Sequence, residues 1–179
     1  ISASRIQARL PHLNILTITE GIDIDRYNAG KELKEREIDL YCFGRQPQYV
    51  HDTDFGGLNV AFNGTDREFC ERIVNAKTTI AVPRCDVLPT CHETLTQRYW
   101  ECMLSRMVMI GRAPKELTDL IGYNPVIDID PTNLQKQIKN IKDNITAYQP
   151  LVDRNRETAL RLAPWELRMR EVKKWMEKI

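Results

Sequence analysis

Residues 78–82 read Thr-Thr-Ile-Ala-Val, a run of β-branched and apolar residues that ends at Pro83. Apolar residues at consecutive positions are typical of a strand whose two faces are both covered. Parallel sheets are covered in this way, because each parallel connection needs a long crossover that is usually a helix. This stretch therefore indicates an α/β protein.

Similar short runs occur on both sides of this strand and alternate with longer amphipathic stretches. The predicted strands are residues 14–18, 38–43, 78–82, 107–111 and 126–129. The predicted helices between them are residues 4–10, 66–76, 95–105 and 115–121. This alternation predicts βαβ units in a doubly wound, Rossmann-like parallel sheet flanked by helices.

The last third of the chain is predicted to be a helical tail. Pro131 suits a first helical turn behind Asp130, and apolar residues then recur at helical spacing up to Ile145. A second helix is predicted to start at Ala163-Pro164.

One connection does not fit this pattern. Only five residues separate the strand that ends at Phe43 from an extended-looking piece at residues 49–51. A parallel crossover needs a dozen residues or more. Two interpretations stay open: the connection is not a crossover, or a segment is missing there.

Length, charge and hydropathy restrict the class of protein. The 179 residues favour one domain or slightly more, and a net charge of +1 offers no support for binding nucleic acid. No apolar run is long enough to span a bilayer, and residues 1–15 do not resemble a signal peptide. We expect a cytoplasmic protein, whose full-length form can sit at a membrane surface.

The five cysteines do not indicate a disulfide framework, because their number is odd and no CxxC pair occurs. Cys85, Cys91 and His92 lie close together, but a structural zinc site needs a second pair, so no metal site is predicted. Cys42 and Cys102 have apolar neighbours and are predicted to be core residues.

The chemistry is concentrated in residues 92–112. Two competing capping boxes, Thr94-x-x-Gln97 and Thr90-x-x-Glu93, can start the helix over residues 95–105. One interpretation of this helix is an exposed face with an Arg98–Glu101 ion pair. The other places a phosphate at the helix N-terminus, beyond the loop 83–94, with Arg98 binding phosphate and Glu101 accepting ribose hydroxyls.

Five pieces of the sequence, in this order, support the second interpretation. They are residues 19–23 (TEGID), 38–45 (IDLYCFGR), the Glu93–Glu101 pair with seven residues between, 95–101 (LTQRYWE) and 110–117 (IGRAPKEL). Together they resemble the C-terminal, nucleotide-sugar-binding domain of GT-B glycosyltransferases of the "group 1" kind. The resemblance covers most of the chain.

The resemblance implies a role for each matching residue. Glu101 would hold the donor ribose, Arg98 and Arg45 would face the diphosphate, and Glu93 would touch the donor sugar. Backbone groups near Arg84 would frame the base. The implied catalytic residues are thus Glu93 and Arg98, and the implied binding residues are Gly44, Arg45, Arg84, Thr96, Arg98 and Glu101. Neither a metal nor a cofactor besides the nucleoside-diphosphate-sugar donor is implied.

The resemblance also implies a domain organisation. Residues 1–20 would end an N-terminal half that is absent here, residues 21–147 would form the donor-binding domain, and residues 148–179 the helical tail. The implied activity is hexosyl transfer with retention to a glycan, lipid or protein acceptor. We expect the chain alone to bind nucleotide without turnover. The base, the sugar and the acceptor stay open.

Two other classes of protein share features with this sequence. A signalling receiver domain shows the same alternation, but it needs acidic residues where this first strand runs into Gly44-Arg45. A non-catalytic α/β interaction or nucleotide-binding domain would keep the fold without the transfer activity, and this alternative stays open.

Overall fold

A five-stranded parallel sheet forms the centre of the molecule, in a computed structural model that describes residues 3–88 and 91–178. The strands are β1 (Ile38–Cys42), β2 (Val60–Phe62), β3 (Ala76–Ala81), β4 (Val108–Gly111) and β5 (Val126–Asp128). Their order across the sheet is β2-β1-β3-β4-β5, and every neighbouring pair is parallel.

Helices connect and cover the strands. They are α1 (Ala3–Arg9), α2 (Gln48–Asp52), α3 (Asp66–Asn75), α4 (Arg84–Val87), α5 (Gln97–Leu104), α6 (Lys115–Ile121), α7 (Leu134–Asp143), α8 (Gln149–Leu162) and α9 (Trp165–Met176). Short 3-10 helices lie at Ile24–Arg26, Leu33–Glu35 and Ile145–Tyr148. The predicted Rossmann-like α/β fold with helices at its C-terminus is confirmed.

Both faces of the sheet are buried, as the residue pattern of the strands predicts. In and just after β1, Tyr41 and Phe43 belong to one apolar cluster, while Leu40 and Cys42 belong to another. The first cluster contains Tyr99 and Trp100 of α5, and the second contains Leu134, Ile138 and Ile141 of α7. Side chains of a strand point alternately to its two faces, so one short strand supports both halves of the core.

The C-terminal helices pack on the body of the domain. Val152 and Ala159 of α8 are fully buried, each in a different apolar cluster. At the start of α9, Pro164 forms a bridge with Ile22, whose backbone amide also donates to the oxygen of Ala163 at 2.9 Å. This bridge fixes the segment that leads to the sheet.

Two predicted features of regular structure are wrong. Residues 14–18 form no strand: Ile15 and Leu16 are only half-buried, and no strand of the sheet pairs with this segment in the described part of the chain. The helix after Asp130 begins at Leu134 instead of Pro131, because Asp130 accepts hydrogen bonds from the backbone and hydroxyl of Thr132 and forms a turn first.

The five-residue connection after β1 is not itself a crossover, as the first of the two interpretations holds. Residues 49–51, predicted to be extended, lie inside α2, and the next strand is β2, in which Val60 pairs with Leu40 of β1. The true crossover therefore runs from residue 43 to residue 59, which satisfies the length that a parallel connection needs. The edge strand β2 was not predicted, because it is only three residues long.

The strand order creates a crevice between β1 and β3. The chain leaves β1 toward β2 on one side and later continues from β3 toward β5 on the other. Loops that follow β1 and β3 therefore diverge at the carboxyl edge of the sheet. In open α/β sheets, ligands bind at such a switch point.

Candidate functional site

A cavity of about 530 Å³ lies at this switch point. The end of β1 contributes Phe43, Gly44 and Arg45, and the end of β3 contributes Val82 and Arg84. The remaining lining residues are Glu20, Val87, Thr94, Leu95, Thr96, Gln97, Arg98 and Glu101. Of the seven site residues predicted from the sequence, six line this cavity: Gly44, Arg45, Arg84, Thr96, Arg98 and Glu101.

Gly44 and the Arg98 side chain pack closely together just after the C-terminal end of β1. Gly44 has a left-handed backbone with φ of 66°, and its amide donates to Oδ1 of Asn63 at 2.7 Å. A Cβ at this position would overlap Nη2 of Arg98. The same nitrogen donates to the backbone oxygen of Arg45 at 3.1 Å, and the guanidinium carbon lies 5.6 Å from the ring centre of Phe43. Glycine is therefore required here both for its backbone angle and for the space.

Three guanidinium groups line the cavity without a carboxylate partner. Among the described residues, neither Arg45, Arg84 nor Arg98 forms a salt bridge, although eleven such pairs occur elsewhere. Arg45 and Arg84 are exposed and Arg98 is half-buried. Unpaired positive charge in a concave site attracts anions, and arginine binds phosphate oxygens through its fork of donors.

Glu101 supplies negative charge on the helix side of the cavity. Its Oε1 accepts a hydrogen bond from the Tyr27 hydroxyl at 2.9 Å. Burial raises the pKa of the Glu101 carboxyl, while the Tyr27 hydroxyl and nearby Arg98 lower it. No hydrogen bond from a described residue reaches Oε2. This oxygen can therefore accept a hydroxyl from a ligand in the cavity.

Glu20 also lines the cavity and was missed in the sequence. Its backbone oxygen accepts from the indole nitrogen of buried Trp100 at 2.9 Å, and the adjacent Gly21 packs against Trp165. Burial raises the pKa of the Glu20 carboxyl, and the backbone amide of Gln97 lowers it. The contact to Trp100 joins residues 80 positions apart, so no local pattern reveals it.

The start of α5 differs from the prediction. Thr96 is the N-cap residue and its side chain caps no amide, so the Thr94-x-x-Gln97 box is wrong. Thr90 of the competing box lies outside the described residues. The Arg98–Glu101 ion pair of the alternative interpretation is not formed: within the described chain, the two side chains bind Arg45 and Tyr27 instead. In the first turn of α5, the Gln97 amide meets the Glu20 carboxyl and the Tyr99 amide donates to the Thr96 backbone oxygen at 3.2 Å, so among the described residues the Arg98 amide is the one left for an anion.

Glu93, the seventh predicted residue, does not line the cavity. Its Oε2 accepts from Nη1 of Arg112 at 2.9 Å, and its Oε1 accepts from the Lys115 amide at 2.6 Å. These two partners, the amide first, lower the pKa of the Glu93 carboxyl. Its predicted contact with a donor sugar stays a prediction that this geometry does not favour.

Two of the five cysteines lie in the apolar core. Cys42 and Cys102 are buried as predicted, and burial raises the pKa of the Cys42 thiol to about 12. In residues 3–88 and 91–178, no group of three or more His, Cys, Asp or Glu residues is arranged to hold a metal ion. Over the same residues, no helix combines the length and the hydropathy needed to cross a membrane.

The fold is similar to that of a protein of known structure. The chain is similar to the crystal structure of AviGT4, a glycosyltransferase involved in avilamycin A biosynthesis, with a TM-score of 0.59 and 16% identity. The match covers 98% of this chain and 61% of AviGT4, so the chain spans about three fifths of that protein's length. No protein-family model and no curated protein matches the sequence. The similarity shows that this chain has a glycosyltransferase-like fold.

Proposed function

We propose that this chain is the donor-binding half of a glycosyltransferase and that the cavity between β1 and β3 binds a nucleoside-diphosphate sugar. One observation carries the proposal: three arginines without carboxylate partners in the described chain, the start of α5 and a half-buried carboxylate surround one cavity at the switch point of a parallel sheet. The glycosyltransferase with the similar fold supports the reaction class.

The diphosphate would lie between Arg45, Arg84 and Arg98. These three guanidinium groups have no carboxylate partner within the described chain, so the negative charge of a diphosphate would balance them. The backbone amide of Arg98, in the first turn of α5, would add a donor. When the bond from the sugar to the diphosphate breaks, negative charge grows on the leaving oxygen. Arginine and amide groups stabilise that charge, so the proposed step needs no bound metal.

The ribose would lie against Glu101. An ionised carboxylate accepts hydrogen bonds from hydroxyl groups, and Glu101 lines the cavity with no described residue bonded to its Oε2. Glu20 lies on the same side and raises the pKa of Glu101 through its like charge. The apolar side chains of Val82, Val87 and Leu95 would then contact the base.

The finer features of the reaction rest on the resemblance to the "group 1" GT-B family. They are hexosyl transfer, retention of configuration, and an acceptor side supplied by another domain. Because acceptor groups would come from that other domain, the chain alone would bind nucleotide without transferring sugar. Sugar transfer by the isolated chain would overturn this part of the proposal.

Calorimetric titration with UDP, GDP and ADP tests the site. We expect one of the three to bind, and Arg98→Ala and Glu101→Gln each to weaken binding by about tenfold or more, because hydrogen bonds to charged groups contribute about 1.5–3 kcal/mol. Arg67→Ala and Glu71→Gln are matched controls, since these exposed residues of α3 pair with each other away from the cavity. The controls should keep the affinity of the unchanged chain.

Two results would contradict the proposal. If all three nucleotides fail to bind a chain that circular dichroism shows to be folded, the cavity is not a nucleotide site in this chain. If a nucleotide binds with an affinity that neither Arg98→Ala nor Glu101→Gln changes, it binds elsewhere, and the non-catalytic alternative is favoured.

A further inference from the structure

We infer that Tyr27 is a positioning residue that holds Glu101 in the orientation needed to bind a ribose. This inference rests on the proposed function and extends it to a residue that lies outside the cavity. The hydroxyl of Tyr27 donates to Oε1 of Glu101 at 2.9 Å, and the two residues are 74 positions apart. Tyr27 thus acts on a ligand only through Glu101.

The geometry divides the two oxygens of Glu101 between two tasks. Oε1 is occupied by the Tyr27 hydroxyl, so rotation of the carboxylate about its last side-chain bond would break this bond. Oε2 has no partner within the described chain, and since Glu101 lines the cavity, this oxygen is the one free to bond a ligand there. A carboxylate held in one orientation loses less rotational freedom when a ligand binds, so its hydrogen bonds to the ligand are stronger in net terms.

Tyr27 is itself held firmly enough to act in this way. Its backbone amide donates to the oxygen of Ile24 at 3.2 Å, which ends a 3-10 turn. Its backbone oxygen accepts from Nη1 of Arg156, and the same nitrogen donates to the backbone oxygen of Leu104 at the end of α5. The half-buried ring packs against the apolar cluster that contains Tyr99 and Trp100 of α5. Tyr27 is therefore fixed relative to the helix that carries Glu101.

The charges around the pair favour this arrangement. Burial raises the pKa of Glu101 and the negative charge of Glu20 adds to this effect, so both disfavour the ionised form. The Tyr27 hydroxyl, together with Arg98, acts in the opposite direction. Burial first, and then the negative charge of Glu101, raise the pKa of Tyr27, which stays a donor at neutral pH. Tyr27 thus helps to keep Glu101 ionised as well as oriented.

Tyr27→Phe tests the inference with two ligands. The first is whichever of UDP, GDP and ADP binds the unchanged chain, and the second is its 2′,3′-dideoxy form, which lacks the ribose hydroxyls. We expect Tyr27→Phe to weaken the ribonucleotide by about fivefold to tenfold, the order of one ordinary net hydrogen bond, because Glu101 loses the contact that orients it, and to weaken the dideoxynucleotide by less than about twofold. A merely structural role would weaken both ligands equally, and that result would overturn the inference.

Tyr123→Phe is the matched control. Tyr123 is also half-buried and its hydroxyl bonds Asn155 and Thr158, away from the cavity. This variant should bind both ligands as the unchanged chain does. Equal ribonucleotide affinity in Tyr27→Phe and in the unchanged chain would also overturn the inference. Absence of nucleotide binding to the unchanged chain would instead reject the proposed function.

A measurement without nucleotide tests the role of Tyr27 independently of the proposed function. In ¹³C spectra, the Glu101 carboxyl is expected to titrate at higher pH in Tyr27→Phe than in the unchanged chain, because the donated hydrogen bond is lost. With Tyr27 kept, its ring ¹³Cζ signal should move in Glu101→Gln and stay in place in Glu71→Gln. Unmoved signals in both measurements would show that the contact does not exist in solution.

Discussion

The two glutamates of the predicted E-x7-E pair, Glu93 and Glu101, have opposite environments. Glu93 lies in a loop and its charge is balanced by Arg112 and by the amide of Lys115, which lowers its pKa. Glu101 lies on α5 beside the cavity, where burial raises its pKa and only Tyr27 donates to it among the described residues. The same residue type thus stabilises structure in one place and is available for a ligand in the other.

The difference teaches that spacing alone does not assign function to a carboxylate. A carboxylate whose oxygens are filled by permanent donors has little left to offer a ligand. A carboxylate that is half-buried with one empty oxygen carries a desolvation penalty, which the binding of a ligand can offset. Four predictions below test this contrast between the Glu93 loop and the Glu101 cavity.

The largest expected effect is at Gly44, on the cavity side. Gly44→Ala places a Cβ against Nη2 of Arg98 and forces alanine into a left-handed backbone. We expect nucleotide affinity to fall by about tenfold or more and the free energy of unfolding to fall by about 1–2 kcal/mol. Titration calorimetry and urea unfolding measure the two changes.

Gly57→Ala is the control for backbone strain. Gly57 also has a positive φ, of 78°, but no described atom lies within 4 Å of the added Cβ. Gly57→Ala should lower the free energy of unfolding by about as much as Gly44→Ala does, while its nucleotide affinity stays that of the unchanged chain. Equal affinity in Gly44→Ala and Gly57→Ala would show that Arg98 does not bind the ligand from its present position.

Glu93→Gln should show the reverse pattern. The amide keeps the shape of the side chain but weakens the bonds from Arg112 and from the Lys115 backbone. We expect the free energy of unfolding to fall by about 1 kcal/mol, since the pair is partly exposed, and nucleotide affinity to change by less than about twofold. If Glu93→Gln instead lowers nucleotide affinity tenfold and leaves the free energy of unfolding unchanged, the result would support the contact with the donor that the sequence predicts for Glu93.

The pH dependence of stability should have opposite signs for the two carboxyls. The lowered pKa of Glu93 adds stability above its ordinary value of 4.5, and this stability is lost as pH falls through the lowered value. The raised pKa of Glu101 has the reverse effect: stability falls as pH rises from 4.5 through the raised value. Relative to the unchanged chain at neutral pH, Glu93→Gln should therefore be less stable and Glu101→Gln more stable.

Urea unfolding of the three proteins at several pH values between 3 and 8 measures these slopes. The difference caused by Glu93→Gln should shrink toward acid pH, where the carboxyl of the unchanged chain is protonated. If Glu101→Gln is the less stable variant at neutral pH, burial does not disfavour the charge of Glu101 in the way the structure indicates.

The smallest expected effect is that of salt. Arg45 and Arg84 are exposed, so raising sodium chloride from 0.05 to 0.5 M should weaken nucleotide binding by about threefold to tenfold through screening. The pairs of Arg112 with Asp86 and Glu93 are partly exposed as well, so the small stability that they contribute should also fall at the higher salt concentration. Affinity that does not respond to salt would mean that the arginines do not contact the ligand.

Much of the fold was predictable because the apolar and β-branched residues of the central strands themselves indicate that both faces of these strands are buried. The runs at Thr78–Val82 and Ile38–Phe43 predicted two central strands, and both are found within two residues of the predicted bounds. The strand at residues 14–18 failed because an apolar run becomes a strand only beside a pairing partner. The edge strand β2 was missed for the opposite reason: its partner makes it a strand, although its own three residues give little signal.

The candidate site was predicted in part for a similar reason. Six of its residues come from local pieces of sequence that end a strand or begin a helix, and loops at one edge of a parallel sheet meet in space. Glu20 and Tyr27 were missed, since their contacts with Trp100 and Glu101 join distant parts of the chain.

The sequence by itself determined the alternation of strands and helices and placed arginines and a glutamate at the carboxyl edge of a sheet. The tertiary structure decided which charges are neutralised there. It paired Glu93 with Arg112 and left Arg45, Arg84 and Arg98 without carboxylate partners in the described chain. The reason is physical: a side chain's type is local, whereas its burial and its hydrogen-bond partners depend on groups that only folding brings near.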